Sequence, residues 1–158
     1  ESEPIGTGGG LVNAIQKLSD PKALLVVNGD TFFPLDLKTM WKMHLEKKSE
    51  MTIAGFFSQA TDRYSFFKVS RDTRIVEKIN SDNGFVSGGV YLLCDQLVKF
   101  LKSLDVSKLS FENELTPQLL SEKWRVFGHP SNAFFIDIGV PEDYEKAQSA
   151  QSFWHGSY

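Results

Sequence analysis

The sequence predicts a single α/β domain, and three observations lead to this prediction. The chain has 158 residues, of which 41% are hydrophobic and 23% are charged, which is enough for one well-filled core. Short apolar runs typical of strands alternate with longer segments whose apolar residues recur at helical spacing. Turn-forming residues separate these segments. Strands and helices mixed in this way favour a sheet flanked by helices.

The apolar spacing places the helices as follows: 10–18, 37–48, 95–104, 111–122 and a last helix from Pro141 onward. Asp20-Pro21 ends the first helix, and Thr116-Pro117 interrupts the fourth. The last helix begins with a proline and two acidic residues, which suits the positive end of a helix dipole. The predicted strands are 24–28, 51–57, 66–69, 75–79, 84–93, 124–127 and 133–138, with 66–69 and 75–79 forming a hairpin.

Two of these strands end in an aspartate. The stretch LLVVNGDTFF (24–33) is an apolar run flanked by turn residues, which predicts a strand buried on both faces and followed by Asp30. The strand at 133–138 delivers Asp137, with Gly139 and a helix start behind it. Ligands bind at the carboxyl ends of such strands, and two carboxylates there could share one Mg²⁺. The alternative is that each aspartate only caps or closes a turn.

Two further segments could contact a phosphate. Residues 4–10 read PIGTGGG, and backbone N–H groups at a helix start favour anions or base edges. The spacing matches neither the GxGxxG fingerprint nor a P-loop, so a glycine turn without a ligand is equally compatible. Glu77 and Lys78 close a predicted strand. They form either a solvated pair or a site in which the lysine neutralises a phosphate and the glutamate accepts sugar hydroxyls.

Composition excludes several classes of protein. A net charge of −3 argues against a nucleic-acid or anionic-membrane partner. The single cysteine, Cys94, excludes an internal disulfide and a cysteine-rich zinc site, and it is predicted to fill the core. No signal peptide or membrane-length apolar segment is visible, so we expect a cytoplasmic protein. The histidines lack metal-ligand spacing and no nucleophilic serine or cysteine pattern appears, so any reaction must need no protein nucleophile.

Taken in order, these segments resemble the sugar-1-phosphate nucleotidylyltransferases. Five motifs of that family have counterparts spread over nearly the whole chain. The family's E-x-x-PLGT-[AG]-G is similar to residues 1–9, its NGD to 28–30, its EK to 77–78, its [AG]-G-[VI]-Y to 88–91 and its [FW]-x-D-x-G-[TV]-PEDY to 135–144. Within the family, NGDTFF and FFIDIGVPEDY are most similar to the D-glycero-D-manno-heptose 1-phosphate guanylyltransferases.

The resemblance implies a Rossmann-like nucleotidyltransferase fold. In that fold a mixed, mostly parallel sheet is flanked by helices, and a β-hairpin lies over the sugar site. It implies one catalytic domain over residues 1–158, N-terminally incomplete and lacking its first strand or strands. The family's GGxGTRL loop and the lysine that follows it, which hold the triphosphate, do not occur in this sequence. We therefore expect the fragment alone to be inactive.

The implied activity is transfer of a nucleoside monophosphate, GMP from GTP, to a sugar 1-phosphate, a heptose 1-phosphate. Pyrophosphate leaves and a nucleotide-sugar forms, as a precursor of lipopolysaccharide, capsule or S-layer glycan. The attacking phosphate oxygen is already an anion, so positioning and charge neutralisation suffice. The implied cofactor is Mg²⁺, and the implied partners are the nucleoside triphosphate and the sugar 1-phosphate. The resemblance leaves undecided whether the protein forms a homo-oligomer.

The resemblance also implies roles for individual residues. Asp30, Asp137 and Lys78 are the implied catalytic residues, and the two aspartates are the implied metal ligands. The implied nucleotide-binding residues are Glu1, Pro4, Gly6, Thr7 and Gly29. The implied sugar-phosphate-binding residues are Tyr64, Ser65, Glu77, Lys78, Ser87, Gly89 and Tyr91. Glu1 could accept two hydrogen bonds from guanine, which favours guanine over uracil, unless it is a frayed terminal residue.

Several alternatives stay open. The family usually has glycine and asparagine where this chain has Ser65 and Ser87, so the identity of the sugar is undecided. A mannose-1-phosphate guanylyltransferase and a glucose-1-phosphate uridylyl- or thymidylyltransferase are the neighbouring activities. A non-catalytic nucleotide-sugar-sensing or assembly domain is the alternative of another class. A glycosyltransferase is disfavoured because Asp30 is followed by Thr31-Phe32 and not by the Asp-x-Asp pattern.

Overall fold

The computed structural model describes residues 3–59, 64–105 and 108–149. Its helices are α1 (Gly6–Gln16), α2 (Leu37–Glu46), α3 (Asp95–Lys102), a π-helical segment (Phe111–Leu115), α4 (Thr116–Ser121) and α5 (Pro141–Ser149). Its strands are β1 (Ala23–Val27), β2 (Thr31–Phe32), β3 (Met51–Gln59), β4 (Phe66–Val69), β5 (Ile75–Ile79), β6 (Asn83–Cys94), β7 (Val126–Pro130) and β8 (Ile136–Asp137). Each predicted helix and strand has a counterpart, and the α/β fold class is confirmed.

The long strand β6 organises the main sheet. On one side it pairs antiparallel with β3, and β3 pairs in parallel with β7. On its other side β6 pairs with β4 through its first half and with β1 through its second half, both antiparallel, and β5 completes the hairpin with β4. Four of the six strands in this sheet, β1, β3, β4 and β7, run in the same direction, as the prediction of a mostly parallel sheet requires. Because β6 lies among them, β3–β7 is the one parallel pairing within the described ranges.

Alternating side chains of β6 fill cores on both faces of the sheet. Tyr91 and Leu93 belong to a cluster that α1, α3, the π-helical segment and α4 cover. Val90 and Leu92 belong to a smaller cluster on the opposite face, where Met40 of α2 packs. β6 is therefore a strand buried on both faces. No helix in the described ranges is long and apolar enough to cross a membrane.

The prediction that β1 is buried on both faces is wrong. Leu24 and Val26 pack against the larger core cluster, but Leu25 and Val27 are 43% and 56% exposed. β1 therefore has one covered face and one open face in the described part of the chain. The difference arises because an apolar run reports side-chain chemistry, whereas burial depends on which elements pack against each face.

Helix α1 begins four residues before its predicted start, so the glycine-rich stretch forms its first turns. The N–H groups of Gly8 and Gly9 donate to the Leu109 carbonyl at 2.8 and 3.1 Å. Gly6 has φ +76°, and a Cβ there would lie 2.6 Å from the same carbonyl oxygen. The glycines thus permit a close approach of backbone to backbone.

The predicted helix at 111–122 changes type at Thr116. Residues Phe111–Leu115 are π-helical, and Pro117 stands in the first turn of α4, where its missing N–H costs little. Cys94, predicted to fill the core, does pack against it, and its sulfur also accepts the Leu97 N–H at 3.4 Å at the start of α3.

Candidate active site

The two aspartates predicted as metal ligands lie beside one another. β2 pairs antiparallel with β8, which puts Thr31 opposite Asp137, and the Ile138 N–H donates to the Asp30 carbonyl at 2.9 Å. A Cβ at Gly139 would lie 3.0 Å from Asp137 Oδ1 and 4.0 Å from Asp30 Oδ2. Both carboxylates therefore border the space above Gly139, which stays open because glycine has no side chain.

This donor set fits a hard divalent cation. Magnesium uses one or two carboxylates and completes its shell with water and phosphate oxygens. Asp137 Oδ1 accepts the Gly139 N–H at 2.9 Å, which holds that carboxylate in place. Residues 3–59, 64–105 and 108–149 contain no group of three or more His, Cys, Asp or Glu side chains able to hold a metal. Two carboxylates alone would leave most positions of an octahedral ion to water or to other oxygen ligands.

A cavity of about 210 Å³ adjoins Asp137. Its wall combines the ends of β1 and β8, the bend of β6, the start of the hairpin and the π-helical segment. The lining residues are Asn28, Thr31, Tyr64, Ser65, Val86, Ser87, Gly89, Glu112, Asn113, Phe135 and Asp137. The cavity thus gathers four of the seven residues predicted to bind a sugar phosphate, namely Tyr64, Ser65, Ser87 and Gly89.

Lys78 reaches the rim of this cavity through Asn113. Its Nζ donates to Asn113 Oδ1 at 2.5 Å, and the same oxygen accepts the Ser65 hydroxyl at 2.8 Å. Lys78, Ser65 and Tyr64 also border an adjoining cavity of about 240 Å³. Lys78 forms no salt bridge with the carboxylates of the described ranges, so its positive charge is available to an anion.

Glu77 is not brought to the cavity. Adjacent strand residues point to opposite faces, and Glu77 Oε1 accepts a hydrogen bond from Lys68 Nζ at 2.9 Å across the hairpin. Both side chains of this pair are more than half exposed, so the ion pair contributes little to stability. Glu77 is therefore solvated, as one alternative expected, but its partner is Lys68 and not the adjacent Lys78.

A chain of hydrogen bonds runs beneath the cavity and ends on Glu112. The Gly89 N–H donates to Ser87 Oγ at 3.1 Å, and Ser87 Oγ donates to the Tyr91 hydroxyl at 2.8 Å. The Tyr91 hydroxyl donates to Glu112 Oε1 at 2.6 Å. Burial, together with the nearby Glu112 charge, raises the pKa of Tyr91 well above its ordinary value. Tyr91 therefore stays protonated and acts as a donor.

Of the residues predicted to bind the nucleotide, Pro4, Gly6, Thr7 and Gly29 lie outside this lining. Glu1 falls outside the described residues. Pro4 and Gly6 are exposed at the start of α1, and the Thr7 hydroxyl accepts a backbone N–H of the π-helical segment at 2.9 Å. Gly29 is exposed, and a Cβ there would meet nothing within 4 Å. Thr7 thus connects α1 to the segment that carries Glu112.

A model of the nucleotidyl transferase family matches residues 1–152. The chain belongs to the nucleotidyl transferase family. Over 152 residues it is 37% identical to D-glycero-alpha-D-manno-heptose 1-phosphate guanylyltransferase of Aneurinibacillus thermoaerophilus, covering 94% of this chain and 64% of that protein. Over 149 residues it is 34% identical to the protein of the same name from Campylobacter jejuni, covering 91% of this chain and 62% of that protein.

Solved structures support the fold of this nucleotidyl transferase. The crystal structure of HddC from Yersinia pseudotuberculosis superposes with a TM-score of 0.76 and 30% identity, covering 95% of this chain and 64% of that chain. HddC complexed with GMP-PN superposes with a TM-score of 0.74. The resemblance and the nucleotidyltransferase fold class are thereby confirmed. The chain spans a little under two thirds of the length of these relatives.

Sequence reasoning missed several lining residues of this nucleotidyl transferase, above all Glu112 and Asn113. Both lie in a segment predicted as an ordinary helix, where acidic and amide side chains usually face solvent. The one available signal was Thr116-Pro117, which marks an irregular start of the following helix. Asn28 and Phe135 belong to the quoted motifs but were given no role, and Thr31 directly follows one of those motifs. Thr31 Oγ1 is buried without a hydrogen-bond partner in the described structure.

Proposed function

We propose that the protein is a guanylyltransferase that transfers GMP from GTP to a heptose 1-phosphate and releases pyrophosphate. The observation that carries this proposal is the meeting of Asp30 and Asp137 beside a small polar cavity, one of whose lining residues, Asn113, accepts a hydrogen bond from Lys78. The names of the bacterial relatives support both the heptose and the guanine. The GMP-PN complex of HddC supports a guanine nucleotide as one substrate.

The cavity has the size and lining expected for a sugar. At about 210 Å³ it is smaller than the roughly 300–1,000 Å³ of pockets for drug-sized ligands. Hydroxyl, amide and carboxylate groups of Ser65, Ser87, Glu112 and Asn113 lie around it. Such groups exchange hydrogen bonds with the hydroxyls of a sugar ring, so we assign this cavity to the sugar 1-phosphate.

The chemistry asks little of the side chains beyond placement and charge. The sugar phosphate enters as an anion, so its attacking oxygen needs no protein base. The Lys78 ammonium would offset the phosphate charge, with Asn113 holding that ammonium in position. Asp30 and Asp137 would hold Mg²⁺, which when bound neutralises negative charge on phosphate oxygens. The wall of the cavity would keep the sugar in line for attack.

We assign the nucleotide to the exposed residues around the start of α1 and the end of β1. Pro4 precedes α1, Gly6 and Thr7 form its exposed first turn, and Gly29 precedes Asp30. Glu1 keeps its proposed contact with the guanine edge. We further infer that this stretch acts as one catalytic domain, because both core clusters share one sheet. Since nucleoside triphosphates and sugar phosphates are cytoplasmic metabolites, we place the reaction in the cytoplasm.

A pyrophosphate-release screen of the full-length protein tests the proposal. Each of the four nucleoside triphosphates is combined, with Mg²⁺, with heptose, mannose or glucose 1-phosphate. We expect GTP with heptose 1-phosphate to give the fastest release. A clear preference for mannose 1-phosphate would move the protein to the mannose-1-phosphate guanylyltransferases, one of which, in Arabidopsis thaliana, is 29% identical. Absence of release with every pair would contradict the enzymatic function.

A further inference from the structure

We propose that Glu112 is a specificity-determining residue that accepts a hydrogen bond from a ring hydroxyl of the sugar 1-phosphate. The proposal rests on the proposed function for the identity of the ligand. Glu112 belongs to the π-helical segment, is half-buried and lines the 210 Å³ cavity. Irregular helical turns of this type often occur at functional sites.

One oxygen of Glu112 is already fixed. Oε1 accepts a hydrogen bond from the Tyr91 hydroxyl at 2.6 Å. The chain of hydrogen bonds behind Tyr91 begins at a backbone N–H, so each hydroxyl in it donates toward Glu112. Oε2 has no hydrogen-bond partner among the residues that the structure describes. A carboxylate oxygen that lines a cavity in this state accepts readily from a ligand hydroxyl.

The surroundings of Glu112 favour a hydroxyl over a phosphate. A phosphate would meet a like charge at this carboxylate, and no salt bridge within 3–59, 64–105 and 108–149 neutralises Glu112. Lys78 is bonded to the neighbouring Asn113 and not to Glu112. We therefore expect the phosphate of the ligand to lie near Lys78 and Asn113, and one of its hydroxyls to donate to Glu112.

The proposal also resolves the position of Glu77. The resemblance gave Glu77 the sugar hydroxyls, yet Glu77 is paired with Lys68 on the other face of the hairpin. Glu112 offers the same chemical group inside the cavity. The role of the hydroxyl acceptor therefore falls to Glu112.

The test is sugar 1-phosphate binding to the full-length protein, measured by calorimetry without nucleotide. Glu112→Gln keeps an oxygen for Tyr91 but replaces the second acceptor with an amide donor, so the variant should fold. We expect it to bind heptose 1-phosphate about 10- to 100-fold more weakly, the range for a hydrogen bond to a charged group. Glu114→Gln, in the same segment but exposed, is the matched control and should bind as the wild type does.

Deoxy analogues identify the hydroxyl and exclude a merely structural role. The wild type should bind one monodeoxy sugar 1-phosphate weakly, and Glu112→Gln should show no additional loss for that same analogue. Such non-additivity marks a direct contact. Equal binding by Glu112→Gln and wild type, or a loss in Glu77→Gln alone, would overturn the inference. If the wild type binds and discriminates but releases no pyrophosphate, the inference stands and the proposed function fails; if the wild type binds no sugar 1-phosphate, both fail.

Discussion

The two ends of the cavity are built in different ways. At one end Asp30 and Asp137 stand where apolar strands stop, and the β2–β8 pairing brings them together. At the other end Glu112 and Asn113 line the cavity from the π-helical segment, and Lys78 of the hairpin, in the adjoining cavity, donates to Asn113. These two segments meet only in the folded chain. The ends of apolar strands thus predict the two aspartates of the candidate site from the sequence, whereas contacts between distant segments bring in its other residues.

Loss of either aspartate should have the largest effect. Asp30→Ala or Asp137→Ala removes one of two carboxylates proposed to hold Mg²⁺, so pyrophosphate release by the full-length protein should fall at least about 100-fold. Asp105→Ala changes an exposed aspartate outside the cavity lining and serves as the control. Near-normal turnover in both cavity variants would show that the strand-end carboxylates hold no essential metal.

Loss of Lys78 should have a smaller effect, and this effect should appear in the affinity for the sugar 1-phosphate. Lys78→Met removes the cation at the rim, and KM for the sugar 1-phosphate should rise about 10- to 100-fold with little change in KM for GTP. Lys68→Met is the matched control, because Lys68 lies on the same hairpin but pairs with Glu77 on the other face. Similar changes in both variants would contradict the assignment of the phosphate to Lys78.

A substitution at Gly89, in the wall of the cavity, should lower the stability of the folded protein. Gly89 has φ +77°, and a Cβ there would lie 2.5 Å from Thr31 Oγ1. Gly89→Ala should therefore lower the free energy of unfolding by about 1–3 kcal/mol, measured by urea denaturation. Gly29→Ala, whose Cβ would meet nothing within 4 Å, should change it by less than about 0.5 kcal/mol. Equal effects would show that the wall tolerates a side chain at Gly89.

The smallest expected effect concerns the contact between α2 and β3. His44 is buried with Nδ1 2.8 Å from Thr52 Oγ1, and burial lowers its pKa below the ordinary 6.5. The unfolded chain then binds more protons than the folded chain as the pH falls, so stability should be constant above about pH 7 and decrease below about pH 6.5. Burial lowers the pKa of His129 too.

Thermal unfolding at several pH values checks this effect. The melting temperature of the wild type should fall between about pH 7.5 and about pH 5.5, and His44→Gln should show a smaller fall. Part of the fall should remain in the variant because His129 still titrates. An identical fall in both proteins would show that His44 contributes nothing to the pH dependence.

Elements with a local signal were predictable from the sequence. Asn28-Gly29 stops β1 after Val27, and Pro141 with its acidic followers starts α5 at the predicted residue. The hairpin strands β4 and β5 have their predicted bounds, because an apolar run on each side encloses a polar turn. Both aspartates proposed as metal ligands were singled out for the same reason, since each follows or closes an apolar run.

The rest depends on contacts between distant segments. Helix α1 starts at Gly6 because the Leu109 carbonyl receives its first N–H groups, and no pattern within residues 4–10 reveals this partner. Strand β2 has two residues and exists through its pairing with β8. Glu112 enters the cavity because the chain adopts a π-helical turn there. Glu77 has a motif in its favour, yet strand alternation turns it toward Lys68.

The sugar dependence of pyrophosphate release tests directly whether the cavity holds a sugar 1-phosphate. The full-length protein is supplied with GTP and Mg²⁺, with and without heptose 1-phosphate, and pyrophosphate is followed over time. If the two ends of the cavity hold a sugar 1-phosphate between Mg²⁺ and Lys78, release should require the sugar phosphate and should yield the GDP-sugar in equal amount. Release at the same rate without the sugar phosphate would contradict this account.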